Sequence, residues 1–325
     1  MKERASGSFQ SGLRCSQGAA ALPALVLLGA ATTAGAEPFV GQFELKNLES
    51  APGRFEFQSQ NAWSRGYPSR QVVAEPDGLV FDENAIVRRR HALELEAGLT
   101  RTLKMRVGIE FEEERLDDPQ TLSRMNDFGA LSLSELGVEL IAVLAAREGD
   151  GAGFGVVAEL ERPMDREESN SLILGPIFEL RSGRWFLAAI PMVVYAFGGD
   201  AEEGERIDDK WDFAYATQLS YTFSERWMLA LEGYGTVERL GRSGSPSESA
   251  RLFGDFNQHR LGPVLYYTHR LGASRRGARI AREAGELTVD EDDEGTTLTI
   301  GLGLLEGLNR DTPDHTLKLS IEVDF

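Results

Sequence analysis

From about residue 53 to the end of the chain, side chains alternate in polarity with period two. In LKMRVGIEF, Leu103, Met105, Val107, Ile109 and Phe111 share one face; Lys104, Arg106, Gly108 and Glu110 share the other, and Glu112 continues it. WDFAYATQLSYTF sets Trp211, Phe213, Tyr215, Leu219, Tyr221 and Phe223 against Asp212, Gln218, Ser220 and Thr222. The last residues, DHTLKLSIEVDF, set Leu317, Leu319, Ile321, Val323 and Phe325 against Thr316, Lys318, Ser320, Glu322 and Asp324. Successive side chains of a strand point to opposite faces, so each stretch predicts a strand lying between two unlike solvents.

Twelve strands are predicted, over about 53–63, 86–99, 103–114, 131–146, 152–161, 171–181, 184–198, 210–223, 227–239, 256–271, 295–308 and 315–325. Most run to ten residues or more, about twice the length usual in soluble sheets and about what a tilted strand needs to cross a bilayer. Their connections alternate between tight turns (100–102, 147–151, 182–183, 224–226) and longer polar stretches near 64–85, 115–130, 162–170, 199–209 and 240–255. Short turns on one side and long loops on the other are the pattern of outer-membrane barrels. The expected fold is therefore all-β, a transmembrane antiparallel up-and-down barrel of about twelve strands spanning 53–325. Trp185, Tyr195, Phe197, Trp211, Phe213, Tyr221, Phe223 and Trp227 fall near predicted strand ends, where interfacial aromatic girdles form.

If the apolar faces meet lipid, the lumen receives the charges. Its expected lining includes Glu94, Glu96, Lys104, Arg106, Glu110, Glu112, Asp212, Glu232, Glu238, Lys318, Glu322 and Asp324. Facing hydrocarbon, such groups would cost roughly 2–4 kcal/mol each if basic at the midplane, acids somewhat less. Glu94 and Glu96 are placed to pair with Lys104 and Arg106 across the tight 100–102 turn. Either a charge network stiffens the lumen, or the charges line a path for a small solute.

Residues 1–36 follow another rule. Lys2, Arg4 and Arg14 precede the apolar run GAAALPALVLLGAATT, which ends near the small residues Ala34–Ala36, the layout of a Sec-type signal peptide. The mature chain would begin near Glu37, and 37–52 would be a periplasmic lead-in or an extra strand. The single cysteine, Cys15, lies in that leader, leaving the exported chain without disulfides. Removing three basic residues and Glu3 takes the formal charge from −18 to −20. So acidic a chain argues against a nucleic-acid partner. The partners expected are outer-membrane lipids, the barrel assembly machinery and an unidentified small-molecule solute, and the expected location is the cell outer membrane. Residues 273–294 form a long connection on the short-turn side, basic first and then acidic, ending in DEDDE at Asp290–Glu294.

Little points to catalysis. His91, His259, His269 and His315 lack the spacing of a zinc motif, and no cofactor motif is present. Outer-membrane phospholipases and lipid A deacylases pair a strand histidine with a serine two residues on. Here that position is Leu271, and Ser274 is out of phase. No enzyme activity is therefore expected. A passive channel for small solutes is the leading expectation; a lipid-modifying enzyme and a structural or adhesion barrel are the alternatives.

GPVLYYTHRLG (262–272) followed by TTLTIGLGLLEGLNRDTPDHTLKLSIEVDF (296–325) resembles the outer-membrane transporters grouped as the MetA-pathway of phenol degradation family. There too, the last hairpin runs from a Gly/Leu-rich strand through GLxxxTPD to a final strand ending on an aromatic. The resemblance covers about sixty residues, and the 273–294 insert departs from it. It implies a barrel and a role in uptake of aromatic compounds. Ending on Phe325 likewise resembles the C-terminal aromatic signal read by the barrel assembly machinery.

Overall fold

The alternating stretches pair edge to edge and close on themselves. The computed structural model describes residues 46–65, 72–75, 78–81, 86–116, 131–147, 149–164, 169–198, 209–244, 257–271, 295–309 and 312–325. The leader at 1–36, residues 37–45, the insert at 273–294 and Ser274 lie outside the described residues.

In chain order the strands are β1 (Phe55–Arg65), β2 (Val72–Glu75), β3 (Gly78–Phe81), β4 (Ile86–Gly98), β5 (Leu103–Leu116), β6 (Ser132–Ala145), β7 (Gly151–Pro163) and β8 (Asn170–Ser182). They continue as β9 (Trp185–Phe197), β10 (Lys210–Ser224), β11 (Trp227–Val237), β12 (His259–Arg270), β13 (Thr297–Gly307) and β14 (His315–Asp324). Twelve of them form a closed barrel in the order β1-β14-β13-β12-β11-β10-β9-β8-β7-β6-β5-β4. Neighbours pair antiparallel, and the seam between β1 and β14 runs in register from Glu56↔Asp324 to Arg65↔His315. The remaining two, β2 and β3, make a separate hairpin inside the stretch predicted as a loop. Each predicted strand of the barrel is found within a few residues of its expected bounds.

The tight connections at 99–102, 146–150, 183–184 and 225–226 gather at the end where the seam joins Phe55 to Phe325. Gly183 makes one of them possible by adopting φ +59°, a conformation that residues with a Cβ avoid. The longer connections lie at the opposite end, except the one between β12 and β13, which leaves from the short-turn end.

Outside, the wall is apolar: Leu95, Val107, Leu140, Leu174, Leu187, Leu229, Leu265, Leu302 and Leu317 are all exposed. Aromatic groups band both rims. Trp185 packs on Tyr221 and Trp227 on Tyr267 at the short-turn end, while Tyr195 packs on Trp211 and Phe197 at the other. Such a surface is stable against hydrocarbon with headgroup layers above and below. No helix among the described residues is long and apolar enough to cross a membrane.

One irregularity concerns the wall itself. Between β8 and β9 the ladder runs from Leu174↔Val193 directly to Phe178↔Ala189. That register sets Pro176 opposite Pro191, and neither has an N–H to donate.

Candidate functional site

The closed wall leaves one interior, and its residues fall into three sectors. The first is ionic and lies on β4–β7. Lys104 Nζ is 2.8 Å from Glu96, and the Arg106 guanidinium is 2.7 Å from Glu96 and 3.4 Å from Glu94. These pairs reach across the 99–102 turn because facing residues on β4 and β5 share a lumen parity, with Glu96 opposite Arg106. Arg90 stands 2.9 Å from Glu112 and 3.7 Å from Glu110. Of the lining expected from the sequence, Glu94, Glu96, Lys104, Arg106, Glu110 and Glu112 are thus brought together on this wall.

The second sector is a hydrogen-bonded knot on β10–β14. The Glu232 carboxylate accepts from Gln218 Nε2 (3.0 Å), the Tyr234 hydroxyl (2.6 Å), the Tyr266 hydroxyl (2.5 Å) and Lys318 Nζ (2.5 Å). Lys318 Nζ also donates to the Tyr266 oxygen at 3.0 Å and lies over both tyrosine rings, at 5.6 and 5.7 Å. Glu232 is 0% and Lys318 1% exposed. Gly301 lets this happen: a Cβ there would fall 2.5 Å from Tyr266, whose ring lies across β13. Asp212, expected as lining, sits apart, accepting from the Arg239 N–H at 2.6 Å with Lys210 Nζ 3.4 Å away. Glu322 is buried on the lumen side of β14, between Gln58 of β1 and Thr299 of β13.

The third sector is apolar. Ile173, Ile177, Ile190, Met192, Val194, Ala214 and Ala216 are buried inward on β8–β10. Both faces of β8 and β9 are apolar here, so the polar-inward expectation does not extend to them.

A segment outside the barrel ladder lies against the ionic sector and β8. Residues 46–50 form neither helix nor strand, and Lys46, Asn47 and Leu48 are buried. Lys46 Nζ donates to Glu139 of β6 and, at 2.9 Å, to Glu159 of β7. Asn47 Oδ1 accepts from Lys104 at 2.7 Å, and the Leu48 N–H donates to Glu179 at 2.7 Å. The Ser50 hydroxyl donates to the Thr100 carbonyl at 2.7 Å, near the rim. Arg54 then clasps Asp324 with two bonds, at 2.8 and 2.5 Å, fixing the segment to the seam.

Sequence reasoning missed Lys46, Leu48, Glu139, Glu159, Glu179, Tyr234 and Tyr266. The glutamates and Tyr234 were within its reach: Glu139, Glu159 and Glu179 lie in predicted strands, and Tyr234 shares parity with Glu232. Nothing periodic marks Lys46 or Leu48.

Phe325 lies at the lower rim, stacked on Phe55 at 6.2 Å between centroids, and their backbones exchange hydrogen bonds of 3.0 and 2.9 Å. His269 is exposed on the outer face beside Tyr267. Among the described residues, no group of three or more His, Cys, Asp or Glu is disposed to hold a metal ion.

This architecture has known counterparts. The structure of an outer membrane channel from Pseudomonas putida F1 superposes with a TM-score of 0.56, covering 86% of this chain and 97% of that one at 12% identity. The KdgM porin superposes with a TM-score of 0.41, covering 83% and 98% at 7% identity. The transport unit of the autotransporter AIDA-I from Escherichia coli gives 0.44, covering 87% and 93% at 8% identity. At these identities the likeness is one of fold. No protein-family model matches the sequence, and no curated protein matches it.

Proposed function

We propose that the protein is an outer-membrane channel through which small solutes pass, exported to that membrane by the leader at 1–36. The observation that carries this reading is one wall with two solvents. Its outer face is apolar and banded by aromatics, while its inner face buries Glu96, Lys104, Arg106, Glu232 and Lys318. An arrangement of this kind is stable only in a bilayer with a polar interior. The Pseudomonas structure of like fold is described as an outer membrane channel, and the C-terminal resemblance to the phenol-degradation transporters points the same way. Fold alone does not give function, so the lumen chemistry bears the weight.

Reconstituted protein is expected to give discrete conductance steps in planar bilayers and solute-dependent swelling of liposomes. Folded protein that inserts yet shows neither would overturn the channel reading.

A further inference from the structure

We propose that the Glu139–Glu159 carboxylates and the glycine pair beside them form a binding site for a primary alkylammonium solute with an apolar body. In this structure the chain's own Lys46 and Leu48 occupy the site. The proposal deepens the channel reading by naming a substrate class and rests on that reading for how the solute arrives.

Four observations carry it. First, the ammonium on these carboxylates comes from a segment with no place in the barrel ladder, so nothing in the strands requires that cation. Second, the pocket keeps spare acceptor capacity. Glu139 is 2% exposed, and its Oε1 has no hydrogen-bond partner among the described residues; Arg106 Nε lies 4.0 Å from it. An ammonium has three donors and can use such an acceptor.

Third, an apolar seat adjoins the charge. A Cβ on Gly155 would collide with Leu48 Cδ2, and one on Gly153 would fall 3.0 Å from Leu48 Cδ1. Neither glycine adopts the left-handed conformation, and although the Ala142 carbonyl oxygen, 2.8 Å from such a Cβ, also requires glycine at 155, no backbone atom crowds position 153. Their missing side chains make room for aliphatic carbons. Fourth, the seat continues into buried apolar wall: Val143 pairs with Gly155 and Ile141 with Val157, both inward. Convergent charge beside a shaped apolar surface is how small-ligand sites achieve orientation and specificity.

The charge around the site favours a cation. Glu94, Glu159 and Glu161 stand within electrostatic reach of Lys46; Arg106 is a fixed cation beside them, and Arg147, beside the glycine seat, is paired with Glu179. A carboxylate solute would meet repulsion and an alcohol would forgo the ion pair.

The test compares wild type with Lys46→Gln, both full-length and folded in detergent, using hexylammonium, hexanoate and potassium chloride as probes. Titration calorimetry is expected to show hexylammonium binding about tenfold more tightly to Lys46→Gln, the scale set by removing a competitor tethered at millimolar effective concentration. Hexanoate should bind neither protein, and adding Glu159→Gln to Lys46→Gln should abolish the gain. Equal affinity in wild type and variant, hexanoate binding as well as hexylammonium, or potassium competing mole for mole would each overturn the proposal. If Lys46→Gln does not fold, Leu48→Ala serves instead. It empties the apolar seat without touching a carboxylate and should tighten hexylammonium binding in the same direction.

Planar-bilayer recordings separate this idea from the channel reading. Conductance without a binding difference overturns the ammonium site and leaves the channel. A binding difference without conductance upholds the site and overturns the channel.

Discussion

Of the lysines buried against glutamates inside this barrel, Lys318 and Lys46 are held in opposite ways. Lys318 belongs to β14, and every group it meets in the knot belongs to another barrel strand: Glu232 and Tyr234 of β11 and Tyr266 of β12. The knot is built from the wall alone and ties β11, β12 and β14 together across β13. Lys46 meets two carboxylates of the wall but arrives on a segment the ladder does not hold. The difference teaches how to read a buried charge in a lumen. One whose partners all lie in the wall is part of the wall, whereas one delivered from outside the ladder marks a place the wall leaves for something else.

The sharpest way to break this comparison is at the knot. Lys318→Met leaves Glu232 charged and buried without its ammonium, a change expected to cost about 3–5 kcal/mol. Urea unfolding in detergent should show it, as should a smaller fraction of unboiled protein running in the heat-shifted folded position. Adding Glu232→Gln removes the stranded charge, so the double variant should recover part of the loss. Strictly additive losses would show that the two groups act independently, and the knot would lose its meaning.

The strands of that knot were legible in the sequence, while most of its partners were not. A period-two pattern specifies which residues share a face, so Glu232 and Lys318 could be assigned to the lumen from parity. Which lumen residues touch depends on how strands stagger around the closure. Tyr266 crossing Gly301 to reach Lys318 is a fact of that stagger. The apolar sector was illegible for another reason. When both faces of a strand are apolar, as at Ile190 to Val194, alternation carries no signal. The Lys46 segment was illegible because an irregular stretch has no period, and its position is set only by tertiary bonds such as Lys104 to Asn47.

A second prediction strikes the other side of the comparison. Gly153→Val crowds the seat of Leu48, whose Cδ1 would lie 3.0 Å from the new Cβ, and overpacking of that kind costs about 1–3 kcal/mol. Because the segment lies outside the ladder, the cost should appear as its release while the barrel stays closed. Trypsin should then cut after Lys46 in the variant and spare that bond in wild type, with the heat-shifted gel position unchanged. Loss of the folded band would show that the segment is as integral as the knot.

Smaller again is the effect expected at the rim. Phe325 and Phe55 stack where the seam ends, and an aromatic pair contributes about 0.5–1.5 kcal/mol beyond its buried area. We propose that Phe325 acts mainly in assembly. Phe325→Ala should then lower the yield of inserted barrel in cells while hardly moving the urea midpoint of the protein that does insert. Normal insertion would reduce Phe325 to a girdle residue.

The smallest effect belongs to the joint between the two regions. Arg54 is bidentate on Asp324, a geometry that makes the most of an ion pair. Yet the arginine side chain is 35% exposed, and water and salt discount such pairs to about 0–1 kcal/mol. Arg54→Gln should therefore shift the urea midpoint only slightly, and the shift should shrink further in high salt. The consequence to watch is elsewhere. If the segment is held by Lys46 and Leu48 inside the lumen, Arg54→Gln leaves the Lys46 bond resistant to trypsin. If it is held by its clasp on the seam, the same substitution exposes that bond. The second outcome would place the anchor of the segment at the rim and weaken the contrast between a wall lysine and a guest lysine.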